Sequence, residues 1–153
     1  MSDGRETPDA DTRGDSDPHA RSVVDAAHSM LAADAAAMSL GITIDEVSVG
    51  HAVLTMTVTA GMVNGLEVCH GGVIFTLADT AMAVASNACG RRTLASSAAI
   101  EFLAPARVGD VLTATCDERI KPGRSALNDT TVVNHEGVTI AEFRGRTVTV
   151  GDR

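Results

Sequence analysis

A chain of 153 residues, 44% of them apolar and with a mean hydropathy of +0.12, has enough apolar mass for one globular domain with a core of ordinary size. Twenty acidic against twelve basic residues leave a formal charge of −8, and no stretch gathers Lys and Arg as a phosphate backbone demands, so nucleic acid is not expected as a partner. The longest apolar run is interrupted by Thr76, Asp79 and Thr80, so no segment supplies the roughly 20 apolar residues of a membrane span, and a soluble protein is expected.

The first residues are acidic and small rather than a basic head followed by an apolar segment, so no secretory signal is read there. Cys69, Cys89 and Cys116 are odd in number and irregularly spaced. Neither a disulfide framework nor a CxxC metal site produces that pattern; reduced thiols in the cytoplasm are the expectation.

Residues 1–20 hold six Asp or Glu and two Pro with almost no large apolar side chain. They cannot offset the entropy of ordering, so a disordered acidic tail is expected, with residues 21–153 as the domain. From about Ser22 to Leu40, Val23, Ala26, Ala27, Met30, Leu31, Ala35 and Met38 fall mostly at helical spacing and Gly41 follows as a stop, which predicts one helix packed by one face. The β-branched runs ITIDEVSV and AVLTMTVT meet at Gly50-His51 and predict a hairpin. Gly61, Asn64 and Gly65 mark residues 61–70 as a loop. A second helix, apolar nearly all round, is predicted from Gly72 to about Cys89, with Gly90 at its C-terminal cap.

Strands then return over 93–104, 111–120, 124–134 and 138–149, separated by the turn signals ARVGD, KPG and HEG. A helix apolar on every side has to be covered on every side. The expected fold is therefore α+β: a curved antiparallel sheet wrapped around a long central helix, the hotdog shape.

Asp79 is the one charged residue between Gly71 and Gly90. On a helix its neighbours are Phe75, Thr76, Met82 and Ala83, three of them apolar, and no Lys or Arg lies within the segment to offset the loss of hydration. It reads either as a structural carboxylate bonded to a loop or as a base or nucleophile; caps belong at helix ends, and Asp79 is in the middle. Before the helix stands CHGG, Cys69 to Gly72. The two glycines allow a tight turn, or close approach of another molecule to helix N–H groups that lack intrahelical partners, which is the chemistry of an oxyanion hole.

Gly71 and Asp79 are separated by about 12 Å along a helix rising ~1.5 Å per residue. One carbonyl cannot touch both, since each contact needs about 3 Å. If both serve one reaction they come from different subunits, and two antiparallel helices about a two-fold axis would create two equivalent composite sites.

The sequence resembles the PaaI-type acyl-CoA thioesterases of the hotdog superfamily, a family associated with phenylacetate catabolism. The resemblance covers about residues 22–150 and rests on Asn64-Gly65, CHGG at 69–72, FTLADTAMA at 75–83, IEFLAPARVGD at 100–110 and AEFRG at 141–145, in that order. It implies hydrolysis of acyl-CoA thioesters in homotetramers built as dimers of dimers, with no metal and no cofactor. It also implies Asp79 as nucleophile or general base from the neighbouring subunit, the Gly71 amide polarising the carbonyl, and His70 and Asn64 positioning carbonyl and water. Phenylacetyl or hydroxyphenylacetyl esters are the implied substrates, with short or medium acyl-CoA as the alternative.

Coenzyme A carries phosphates, so cations are expected near the site. RIKPGRS supplies Arg119, Lys121 and Arg124, and Arg91-Arg92 follow the central helix; Lys121 and Arg124 are the favoured pair. Gly72 and Phe75 join them as candidates for substrate contact. Some relatives carry a basic residue just before the position of Pro105, where this chain has Ala104, so phosphate contacts do not transfer directly. Cys69 beside His70 lacks a third group to orient the imidazole, and the other histidines lack ligand spacing, so neither a thiol nucleophile nor a metal site is expected. The competing functions are a hotdog dehydratase or hydratase and a non-catalytic acyl-CoA-binding protein.

Overall fold

The computed structural model describes residues 17–151. The expected tail therefore lies outside the described residues except at its end, where helix α1 (Pro18–Ala32) begins ahead of Ser22. Asp17 caps it, accepting from the His19 N–H at 3.0 Å, and Pro18 occupies the first turn, where its missing N–H costs nothing. The single helix expected to Leu40 is two. Asp34 Oδ1 accepts from the Ala37 N–H at 3.0 Å and starts a separate short helix, α2 (Ala35–Ser39). An aspartate that bonds the backbone three residues ahead begins a helix rather than continuing one.

Strands β1 (Thr43–Ser48) and β2 (His51–Thr57) form the hairpin, with Ser48 opposite His51. The turn is therefore Val49-Gly50, one position before the expected Gly50-His51, because His51 already pairs. After a 3₁₀ turn at Ala60–Met62 and a loop comes the central helix α3 (Gly71–Asn87). Four strands follow: β3 (Thr93–Phe102), β4 (Val111–Ile120), β5 (Ser125–Asn134) and β6 (Thr139–Thr149). All neighbours are antiparallel, in the order β1-β2-β4-β5-β6-β3, and α3 touches every strand. Six antiparallel strands over one long helix make the expected hotdog.

The core lies between α3 and the inner face of the sheet. Leu77, Ala78, Ala81 and Met82 meet a layer that includes Leu54, Met56, Leu112, Val132 and Phe143, none more than 2% exposed. Each fully buried large side chain contributes about 1.5–3 kcal/mol. Gly145 on β6 leaves space for the Met82 thioether; a Cβ there would overlap its sulfur.

Among the described residues, however, α3 is not covered all round. Gly72 is exposed, and Thr76, Asp79, Ala83 and Asn87 are half-buried, at the spacing of one helical stripe. Along this stripe the sheet does not wrap the helix, contrary to the expectation from its composition. Edge strand β3 is similarly open: among the described residues it pairs only with β6, and from Leu94 to Ala99 every residue is exposed. Asn87 ties these two open elements together. Its Nδ2 donates to Ala83 O at 2.9 Å and Thr93 O at 3.0 Å, while its Oδ1 accepts from the Thr93 N–H at 2.9 Å.

Candidate active site

The loop before α3 is built around Asn64. Its Oδ1 accepts from the Leu66 N–H at 2.9 Å and the Val68 N–H at 3.5 Å, and Val63 bridges to Cys69 behind it. Because the oxygen is held by backbone donors, the orientation of the amide is set and its Nδ2 donors remain unbonded among the described residues. Asn64 and Gly71 then line one cleft of about 350 Å³, together with Cys69, Ile74, Phe102 and Pro105.

His70 is the N-cap of α3. Its Nδ1 accepts from the Gly72 N–H at 2.9 Å, so the neutral ring carries its proton on Nε2, and its carbonyl accepts from the Val73 and Ile74 N–H groups. These bonds leave the Gly71 N–H without an acceptor among the described residues. Such an amide, at the positive end of a 17-residue helix, is suited to a developing oxyanion. His70 is not among the residues lining the cleft; its observed contact is to the helix start.

Asp79 does not line the cleft with Asn64 and Gly71. It lies on the open stripe of α3 with no hydrogen bond or ion pair among the described residues, so it is not a carboxylate bonded to a loop. Burial pushes its carboxyl above the ordinary value of 3.8, and the negative charge of Asp34 adds to that rise. Sequence periodicity carries no sign of Asp34, which belongs to a distant segment brought close by the α1–α2 elbow.

The other candidates are dispersed. Phe75 stands edge-on to Phe143, with ring centroids 5.3 Å apart, and does not line the cleft. Lys121 pairs with Glu118 at 3.5 Å, and Arg124 donates from Nε and Nη2 to Thr149 O at 3.2 and 2.9 Å. Their turn lies toward the C-terminal end of α3, since Gly50 donates to Ala85 O and accepts from the Glu118 N–H. Both are therefore at the other end of the helix from Gly71. Ala104 and Pro105 do line the cleft, so the missing basic residue is missing from its wall. Phe102, which sequence reasoning did not single out as a site residue, packs directly on Gly71; only the IEFLAPARVGD motif hinted at it.

The chain has the same shape as several solved proteins. Residues 66–119 match the model of the thioesterase superfamily. The acyl-coenzyme A thioesterase PaaI of Escherichia coli is 46% identical over 125 residues, spanning 82% of this chain and 89% of that protein. The solved structure of E. coli PaaI, from the phenylacetic acid degradation operon, superposes with a TM-score of 0.84 at 44% identity, covering 86% of this chain and 96% of that one. A mutant PaaI of Thermus thermophilus gives a TM-score of 0.73 at 29% identity over 76% of this chain and all of its own, 100%. The chain belongs to the thioesterase superfamily, in its PaaI-type branch of acyl-CoA thioesterases, and is a thioester hydrolase. Among the described residues no helix is long and apolar enough to cross a membrane.

Proposed function

We propose that the chain hydrolyses acyl-CoA esters carrying arylacetyl or short to medium acyl groups, at a site completed by a second copy of itself. The observation that carries this reading is the separation of its two halves. Asn64 and Gly71 present free donors in one cleft, while the unpaired Asp79 carboxylate lies outside that cleft on the open stripe of the same helix. A second copy docked along β3, with its α3 antiparallel to the first, would supply Asp79 to each cleft. Strand β3 suits such pairing: Ala95, Ser96, Ser97, Ala98 and Ala99 include neither Pro nor charge, the usual guards of an edge.

In this reading the thioester carbonyl oxygen accepts hydrogen bonds from the Gly71 N–H and Asn64 Nδ2, which stabilise the oxyanion as the C–S bond weakens. The second copy's Asp79 follows one of two routes. It attacks the carbonyl carbon and expels the CoA thiolate, forming a mixed anhydride that water then cleaves; or it takes a proton from a water that attacks instead. Its raised pKa suits the second role, and the lack of a pairing cation among the described residues leaves it free for either. His70 positions the helix start. Lys121 and Arg124, near the C-terminal end of α3, would reach CoA phosphates only at a site whose other half is a second chain. Three free thiols suit a reducing cytoplasm, and a dimer of dimers is the assembly typical of this family.

The test is complementation. Chains carrying Asp79→Asn and chains carrying Gly71→Val are each expected to release little free thiol from acyl-CoA, and to regain activity when mixed and allowed to exchange subunits. Heterodimers shown to form but lacking activity would overturn the two-chain site.

A further inference from the structure

Beside the open stripe of α3 lies a second pocket, of about 380 Å³, which the chemistry above does not use. Met30 and Ala33 wall it from the end of α1, Ala83 and Asn87 form its α3 side, and Arg92 and Leu94 close it from the start of β3. Ala83 follows Asp79 by one helical turn and Asn87 by two, so the pocket continues the line on which the carboxylate stands and reaches about 12 Å beyond it at ~1.5 Å per residue.

The pocket is lined mostly by apolar surface and carries one acidic and one basic side chain, Asp34 and Arg92. The three hydrogen bonds of Asn87 go to backbone groups, so its amide makes no demand on a ligand. Met30, Ala33, Ala83 and Leu94 offer apolar surface, with Leu94 left 53% exposed. Asp34 also lines it and acts on Asp79, marking the end nearer the carboxylate. Arg92, beyond the C-terminus of α3, makes no ion pair among the described residues. A volume of this size falls in the range of small-ligand pockets, and an acetyl group would leave most of its apolar wall uncovered.

We propose that this pocket receives the acyl group of the substrate, that Ala83 sets the size it admits, and that Arg92 meets a hydroxyl or other acceptor at the far end of a ring-bearing acyl group. The assignment rests on the thioesterase reading and specifies its substrate class. A ring placed past Asp79 would cover Met30 and Leu94, with the long Arg92 side chain lining the far end of the pocket toward which a para substituent points. Methionine adapts to ring edges and alkyl chains alike, which suits a wall that takes related acyl groups.

The test uses the full chain and free-thiol release from acetyl-CoA, phenylacetyl-CoA and 4-hydroxyphenylacetyl-CoA. Ala83→Leu, a substitution on a half-open stripe, is expected to lower the ratio of phenylacetyl to acetyl kcat/KM about 30-fold, the scale at which pockets discriminate by size. Arg92→Gln, at the exposed end, is expected to lower the ratio of hydroxyphenylacetyl to phenylacetyl kcat/KM about 10-fold, the scale of one lost charged hydrogen bond. Equal losses on all three esters with Ala83→Leu, or ratios unchanged by both variants, would overturn the pocket assignment while leaving the hydrolase standing. A wild-type chain that releases thiol from no acyl-CoA ester removes the hydrolase reading and this assignment with it.

Discussion

The tip of the Phe102 ring rests on the backbone of Gly71, with no room for a methyl group between them: a Cβ at Gly71 would stand 2.9 Å from Cζ and 3.3 Å from Cε2. The backbone at Gly71 is ordinary helix and does not itself demand glycine; the Phe102 ring does, and the contact holds the end of β3 against the start of α3. Gly71→Ala is expected to lower kcat/KM about 100-fold, because a displacement near 1 Å at a reacting centre has that scale. Adding Phe102→Leu should return part of the loss. Strictly additive losses in the double-mutant cycle would show that this contact is not what the glycine protects.

Asp79→Asn is expected to slow turnover by about 100-fold or more while preserving substrate binding, measured by steady-state kinetics and calorimetry. It should also stabilise the fold at neutral pH. A carboxyl whose folded-state pKa is raised above 3.8 binds more protons folded than unfolded. Its stabilising contribution is fully present below the unfolded value and is lost as pH rises through the folded one. The Tm advantage of Asp79→Asn should therefore grow as pH rises above about 4. A Tm lower than wild type at pH 7 would contradict the unpartnered burial of this group.

Asp34→Asn offers a subtler measurement. Its side-chain oxygen can still cap α2 at the Ala37 N–H, but the negative charge that helps to raise Asp79 is removed. The acid limb of the pH profile of kcat/KM should move to lower pH with the Tm little changed. An unmoved limb would mean that Asp79 is not the titrating group, or that Asp34 does not act on it in the assembled enzyme.

At Asn64, substitution by Asp separates fold from chemistry. The remaining oxygens still accept from the Leu66 and Val68 N–H groups, so the loop keeps its bonds, while two donors toward the cleft are exchanged for an acceptor. Turnover is expected to fall by a factor of about 10²–10³, equivalent to about 2.7–4 kcal/mol, with near wild-type thermal stability. Full activity would exclude Asn64 as an oxyanion donor.

Periodicity marked out most of the fold. The β-branched runs and the turn signals ARVGD, KPG and HEG bound the strands, and the apolar density of α3 records its central place; β5, by contrast, turns Asn128, Thr130 and Asn134 inward, so its alternation in burial is not one of apolar residues. Asp79 and Gly71 stood out because a lone carboxylate and a glycine pair are costly choices for an ordinary helix. What the sequence concealed is long-range or local in a way periodicity does not register. The break at Asp34 rests on one side-chain bond inside an alanine-rich run that otherwise reads as continuous helix. The pairing of Phe102 with Gly71 depends on where an edge strand ends, and the partners of Lys121 and Arg124 on strand register. The open stripe escaped notice for a different reason: apolar composition shows that a face will be covered, not whether its own chain covers it.

Asn87 fastens Ala83 to Thr93 directly, so the tip at Gly90-Arg91 is bypassed as a mechanical link between helix and strand, while Arg92 is held separately, its carbonyl accepting from the Val150 N–H at 2.9 Å. The loop tip is in effect slack in a cord already tied at its base. A peptide spliced between Gly90 and Arg91, or a new pair of termini opened there, would leave helix and edge strand in step, which makes this tip the natural place to attach a reporter.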